Sequence, residues 1–378
     1  MSGGTARAPV AERFEAVVAG AGPAGAVAAL TLARAGRRVL LVDDRIGGPE
    51  AAQLKVGETL PPAARPLLHD LGLWADFTAD AHLRSTGTLA CWGSPELHGR
   101  SHLFDPNGHG WHLDRRRFDA SLRDAAVAAG AELRQATVVK YLAHGTDRRL
   151  FIRHEGLVEE LHSPWVVDAT GRRAVIGRGQ AVRRRQDRLM AAFALFPHPA
   201  GSGRAADEEL RTLVEAVPQG WWYTARIPAG RLVAHLTDAD LTDPALRTPQ
   251  GFLARAGRTR HLRTRLAGYA PPATAPRWTP AHGLRLTPPA GPGWIAAGDA
   301  ALAFDPLSSQ GILTALHTGA RAGHTVDLCL RGTPEALSAY TTFLTRIADA
   351  YRDHHAHAYA QEHRWQAHPF WRRRSRLG

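Results

Sequence analysis

Three glycines, Gly20, Gly22 and Gly25, stand in G-x-G-x-x-G spacing within "AGAGPAGA". The stretch follows an apolar run, Phe14 to Ala19, and opens a segment of helical spacing, Pro23 to Ala35, that stops at Gly36. Gly20 permits a tight turn, Gly22 lets a pyrophosphate approach the backbone, and Gly25 lets helix and strand pack closely. The start of such a helix offers phosphate its free N–H groups and the positive end of its dipole. Asp43 ends the next apolar run, Val39 to Val42, and is placed to accept from an adenosine ribose 2′-hydroxyl. Its negative charge argues against a 2′-phosphate there. Ala24 in the turn and Asp44 beside Asp43 join the same set of contacts, and the whole reads as a dinucleotide site.

A second constellation indicates which dinucleotide. "GDAALAFDPLSSQGI", residues 298–312, leaves the short apolar run Trp294 to Ala297 and enters a helical segment. Asp299 can accept from ribityl hydroxyls, which a flavin has and a nicotinamide dinucleotide lacks. Ser308 to Ile312 brings backbone N–H groups and a helix start against the flavin pyrimidine edge. A positive helix end there stabilises the negative charge of reduced flavin. Read alone, the stretch is equally an Asp/Ser cap on an ordinary helix. Together with the glycine turn and Asp168-Ala169-Thr170-Gly171 it points to FAD, with Gly298, Asp299, Gln310, Gly311 and Ile312 as contacts.

These residues need a scaffold, and the chain supplies one. Strand, glycine turn, helix and strand form a βαβ unit within the first 45 residues. Helices are expected at Pro62 to Asp70 and Phe118 to Ala129, a strand at Glu132 to Leu142, and another at Trp165 to Val167. Val139, on the strand from Glu132, is a further cofactor candidate. Alternating runs, Met190 to Phe196, Trp221 to Ile227 and Leu232 to Leu236, predict an antiparallel sheet. Helical spacing returns at Ile312 to Leu330 and Pro334 to Tyr359, and the tail "HPFWRRRSRLG" carries no fold signal. The fold class is α/β. An FAD-binding domain is expected in three parts, 10–84, 100–185 and 285–332. Substrate-domain strands at 85–99, a substrate domain at 186–284 and a C-terminal helical region at 333–378 complete the division.

Composition narrows the function classes. The 378 residues are 44% hydrophobic and 22% charged, as in ordinary globular proteins. Two cysteines, Cys91 and Cys329, make neither a disulfide framework nor a metal cluster, and with no signal peptide or membrane helix recognised, a cytoplasmic protein is expected. The net charge is +12, yet only Lys55 and Lys140 are lysines, and arginine is spread along the whole chain. That distribution predicts no nucleic-acid stripe, and favours an acidic protein or peptide partner instead. His354, His355, His357, His363 and His368 sit on a polar helical region with few regularly placed acids, so no metal site is expected.

With these motifs in order, the sequence resembles the FAD-dependent aromatic hydroxylases of the glutathione-reductase-like, p-hydroxybenzoate-hydroxylase type. The family's three signatures correspond to Gly20/Gly22/Gly25, Asp168/Gly171 and Gly298/Asp299 with Pro306. "HLDRRRFDASL" is similar to an element in which Arg115 would contact FAD. The resemblance implies a glutathione-reductase-like Rossmann FAD domain with an inserted antiparallel β-sheet substrate domain and C-terminal helices. "KVGETLPPAARPLLHDLGL", "GHGWHLDRRRFD" and "GWWYTARIPAGRLVAHLTDADL" look more narrowly like the tryptophan-halogenase-like branch. Within it they resemble the flavoprotein maturases of tryptophylquinone-dependent amino-acid and amine oxidases. That likeness implies hydroxylation of a tryptophan in a protein or carrier peptide during biosynthesis, through a flavin C4a-hydroperoxide. Oxygen would be the oxidant, with electrons from NAD(P)H bound transiently or from a separate flavin reductase.

Flavin halogenases are the nearest rival. Their pattern has a lysine on the strand corresponding to "STGTLACWGS", which here has none, and a glutamate where this chain has Ser308. The W-x-W-x-I-P signature is altered to "WWYTARIP". A non-catalytic flavoprotein chaperone is the third reading. For chemistry the candidates are Glu58, Lys55 and His112, though Glu58 could equally satisfy backbone N–H groups in its turn, and His109 and His112 could be structural. Trp221, Trp222, Ser308 and Ser309 are candidates for substrate contact, the tryptophans as a stacking wall or as plain core.

Overall fold

The computed structural model describes residues 12–46, 54–144, 147–199 and 208–375. Ala16–Ala19 is buried at every position, as a central strand of a parallel sheet must be. The main sheet runs Trp294–Ala296, Trp165–Asp168, Ala16–Ala19, Val39–Asp43 and Glu132–Gln135, all parallel, with Ala290–Gly291 antiparallel at one edge. The cofactor motifs thus leave the carboxyl ends of three adjacent strands, where open α/β sheets bind ligands.

Two helices lie close together over this sheet. Pro23–Arg34 begins with proline in its first turn, where an N–H is not needed. Gly311–Leu330 crosses it so closely that a Cβ on Gly319 would lie 2.2 Å from the Ala24 carbonyl oxygen. A Cβ on Gly323 would lie 2.8 Å from that of Ala28. Arg115–Ala128, capped by the Asp114 carboxylate on the Arg116 and Arg117 N–H groups, packs alongside.

The strand expected from Glu132 to Leu142 is two strands. Glu132–Gln135 ends level with Asp43, and after Ala136 the chain turns into Thr137–His144 of a separate sheet with Asp147–His154, Leu157–His162 and Glu12–Arg13. The alternating segments after residue 186 build a seven-stranded sheet with Gly87–Cys91 and His98–Ser101 at one end. It is mixed rather than purely antiparallel, because Thr212–Val217 runs parallel to Gly87–Cys91.

Period-two alternation splits the side chains of this sheet between two cores. Ala191, Trp221, Leu232, Ala234 and Leu236 face one way, and Ala192, Trp222 and Val233 the other. The described part of the tail also forms an element. Pro369–Arg374 is a short helix that buries Phe370 and Trp371 on the Trp221 face, where the Trp371 indole donates to the Val217 carbonyl over 2.8 Å. Arg374 is buried against Asp238 at 2.9 Å, so the basic run that hid this element from the sequence pattern is part of its anchorage.

Replacing Gly319 by alanine must part the two central helices, and is expected to lower unfolding free energy by about 3 kcal/mol. Gly179, whose added Cβ meets nothing within 4 Å, is the control, with an expected change below about 0.5 kcal/mol. Urea unfolding of both variants measures the difference.

Candidate flavin site

One cavity of about 720 Å³ begins at the glycine turn and ends on the apolar face of the seven-stranded sheet. Its first part is lined by Gly20, Ala21, Gly22, Ala24 and Asp43. Gly20 has φ +99°, and a Cβ there would strike the Ala169 carbonyl oxygen at 2.3 Å. Gly25 lies behind the turn against the Gly20 carbonyl, so it shapes the site without lining it. A Cβ on Gly22 meets nothing within 4 Å, which leaves room for a ligand against the backbone. Asp43 accepts from the Ala21 and Arg45 N–H groups at 2.6 and 2.7 Å and keeps further lone pairs for a ribose.

The middle of the cavity is lined by Gly298, Asp299, Ser308, Ser309, Gln310, Gly311 and Ile312. Gly298 has φ +58° and donates its N–H to Thr318 over 2.8 Å, which ties the turn to the helix below. The helix that starts at Gly311 has no side-chain cap, so its first N–H groups remain available, and Gly311 itself has no neighbour for a Cβ. An open glycine turn at one helix start, a second uncapped helix start and Asp299 between them fit FAD; Gly22 would face the pyrophosphate, Asp299 the ribityl chain, and Gly311 and Ile312 the pyrimidine edge.

The far end is a chamber walled by Ala191, Trp221, Leu232, Ala234, Leu236 and Pro280. Glu58, which is buried, and Tyr223, which is partly buried, are its polar pair. The Tyr223 hydroxyl donates to Glu58 Oε1, and Thr59 Oγ1 lies 2.7 Å from that hydroxyl. Glu58 Oε2 is buried without a hydrogen-bond partner. Burial pushes the Glu58 carboxyl above its ordinary range despite the bond from Tyr223. Lys55 also lines the cavity, but its ammonium is held 2.9 Å from Asp119. Attraction to Arg115 and Lys55 outweighs burial and keeps Asp119 below the usual carboxylate range.

Other expected site residues lie elsewhere or do other work. Arg115 borders the cavity, yet its guanidinium is engaged by the Gly57 carbonyl at 2.7 Å and by Asp119, so it braces the 55–58 loop. Asp168 is fully buried beneath the site and accepts from Thr170, Ile176 and Gly177, so it folds the loop rather than touching a ligand. Asp44 turns away into a pair with Arg173 at 2.9 Å, and Val139 is exposed on the neighbouring sheet. His112 is buried on the strand Gly110–His112, outside the cavity lining, and burial lowers it to about 4, so it is neutral. His109 donates from Nδ1 to the Gly110 carbonyl over 2.9 Å and meets the Trp111 ring edge-on, also away from the cavity.

Trp221 lines the chamber, its indole N–H on the Tyr359 hydroxyl at 3.1 Å, whereas Trp222 points to the opposite core against Phe252. Consecutive strand residues cannot share a face. The same rule would have identified Tyr223, two positions from Trp221, as a cavity residue, although no motif in the sequence singles it out. Ser308 donates to the Asp305 carbonyl over 2.9 Å, which fastens its own turn. Arg172 was also unforeseen; its Nε lies 3.5 Å from Asp299. Among the described residues no group of three His, Cys, Asp or Glu could hold a metal ion, and no helix is long and apolar enough to cross a membrane.

Residues 13–200 match the model of the FAD binding domain. Over 375 residues, 96% of this chain and 97% of the relative, the chain is 28% identical to LodB of Marinomonas mediterranea, described as an FAD-dependent oxidoreductase. Among solved structures, the myxobacterial chondrochloren halogenase CndH matches with a TM-score of 0.85 at 23% identity, covering 96% of this chain and 86% of that one. The peptidyl tryptophan dihydroxylase QhpG matches with a TM-score of 0.76 at 22% identity, covering 96% and 78%. These likenesses establish the fold, a Rossmann-type FAD-binding domain joined to a second sheet and C-terminal helices.

Two outcomes follow from this geometry. Gly22→Ala places a methyl in open space, so stability should stay within about 0.5 kcal/mol while FAD binds about tenfold or more weakly by fluorescence titration. Glu58 binds its proton more tightly in the folded than in the unfolded chain. Its contribution to stability is therefore present below the ordinary carboxylate range and is lost as pH rises through the raised value. Between pH about 5 and about 8, the urea midpoint of Glu58→Gln should fall less than that of the parent; parallel declines would refute the assignment.

Proposed function

We propose that this protein, an FAD-dependent flavoenzyme of the halogenase/monooxygenase superfamily, is a monooxygenase that hydroxylates an electron-rich aromatic ring, the indole of a tryptophan in a protein or carrier peptide. The observation that carries the reading is the content of the chamber: a carboxyl–phenol pair, buried Glu58 and partly buried Tyr223, in apolar walls, and a single lining lysine bound to Asp119. The other lysine of the chain, Lys140, is exposed on the sheet of Thr137–His144. No lysine is thus left free to relay a hypohalous acid, and the loop position where a halogenase carries glutamate is a serine engaged in its own turn.

Bound FAD, once reduced, supplies the electrons that activate oxygen. One oxygen atom enters the ring C–H bond as hydroxyl and the other leaves as water, with NAD(P)H or a flavin reductase as the source of the electron pair. The chain's own residues position and exclude. Ala191, Leu232, Ala234 and Leu236 exclude water from the chamber, and Trp221, fixed by Tyr359, forms a rigid wall. Glu58 Oε2 is the one unsatisfied buried oxygen of the pair, and it would take up the ring N–H or the proton released from the attacked carbon. Tyr223 and Thr59 hold that carboxyl in place from behind. The likeness to QhpG, a peptidyl tryptophan dihydroxylase, supports a tryptophan within a polypeptide as the group to test.

Mass spectrometry of a tryptophan-containing peptide after turnover with FAD, a reductant, oxygen and bromide decides the matter. The expected product carries added oxygen whether or not bromide is present. A brominated product would assign the chain to the halogenases, and an unchanged peptide with no oxygen consumed would leave a binding role. Glu58→Gln is expected to lower kcat about 10²-fold.

A further inference from the structure

The strand Val182–Arg185, "VRRR", is exposed at all four positions and pairs on one side only, with Leu284–Thr287. Its register sets Arg184 directly opposite Arg285. Like charges facing each other across a strand pair are unfavourable, and among the described residues neither has an acidic partner. Arg178, on the adjoining turn, and Arg183 have no ion pair among the described residues either. Arg183 and Arg185 fall on one face of the strand, and with Arg172 they converge on His282, a buried cavity residue whose Nδ1 lacks a hydrogen-bond partner. Burial, then the charges of Arg185, Arg172 and Arg183, hold that imidazole down at about 4. Arg172 and Arg183 themselves line the cavity.

We propose that this edge is the docking strand for an acidic, extended segment of the polypeptide substrate, which pairs with Val182–Arg185 and turns an aromatic side chain past Arg183 into the chamber. The proposal rests on the reading of a polypeptide substrate given above. An open strand edge is a template for an added strand, whose main chain gives affinity and whose alternate side chains give specificity. A row of arginines on such an edge repels a second copy of the same edge and admits a strand of opposite charge. In an extended segment, residues two apart share a face. An aromatic residue entering the chamber therefore has its second neighbours on either side on the Arg183 and Arg185 face, where carboxylates would meet guanidinium groups bidentately.

The test uses FAD-loaded protein and the fluorescein-labelled peptide ETETWTETE, with KTKTWTKTK as its basic counterpart, read by fluorescence anisotropy. The acidic peptide should bind at least about tenfold more tightly than the basic one, and less tightly as salt rises. Arg185→Glu, outside the cavity lining and on the face that meets the carboxylates, should weaken it about tenfold or more. Arg185→Ala should give a smaller loss in the same direction, and flavin absorbance reports that both variants are folded. Equal affinity for the two peptides, or no change in either variant, overturns the proposal. Tighter binding of a labelled DNA duplex would assign the patch to nucleic acid and overturn it too. Binding is measured without turnover, so its failure leaves hydroxylation to stand or fall on its own assay.

Discussion

Backbone lies against backbone wherever the cofactor motifs sit, and the site depends on that contact. Gly25 admits the Gly20 carbonyl, Gly319 admits the Ala24 carbonyl, and a Cβ on Gly298 would press on Ala24 at 2.8 Å. Three glycines from opposite ends of the chain therefore surround one turn. Their joint effect is to bring the starts of two helices, Pro23–Arg34 and Gly311–Leu330, to the same cavity. The N–H groups of the first turn and the dipole of each helix act at that point and nowhere else, so distant sequence segments make one anion-favouring surface.

Electrostatics in the cavity are mostly settled within the protein. Lys55 and Arg115 converge on Asp119, Arg173 on Asp44, and Arg172 approaches Asp299. These pairs fix loops. Glu58 is different, because its second oxygen has no partner and its burial favours the protonated form. A chamber that is apolar apart from one buried carboxyl group suits chemistry in which a neutral, electron-rich ring is positioned and kept dry.

The glycine triplet, Asp43, Asp299 and the start at Gly311 were legible in the sequence because each is a local backbone requirement with a residue type that meets it. Glu58 was legible as a candidate, but not its partner, since Tyr223 is 165 positions away and reaches it only through the sheet. The role of Asp168 is hidden in the sequence for a related reason. A carboxylate that folds a tight loop and one that contacts a ligand look the same in sequence, and only its bonds to Thr170, Ile176 and Gly177 tell them apart. Trp222 could have been set aside beforehand by strand periodicity. The turn at Ala136 and the helix Pro369–Arg374 could not, because what defines them is the edge of one sheet and the apolar face of another.

The tail also bears on how the chamber keeps its shape. Tyr359, on the long helix Ala336–Ala360, donates to Asp305 over 2.7 Å and accepts from the Trp221 indole, while Tyr351 accepts from the Asp305 N–H. Burial works to raise Asp305, but bonds from His355 and the Leu307 N–H outweigh it and keep the carboxylate charged. One buried anion thus ties together the loop that ends at Gly311, the chamber wall at Trp221 and the C-terminal helix. Ser308 belongs to the same arrangement, since its hydroxyl closes the turn that Asp305 begins. A glutamate at 308 would lose that closure and bring a second carboxylate toward Asp305. Ser308 is therefore a condition of the loop's geometry.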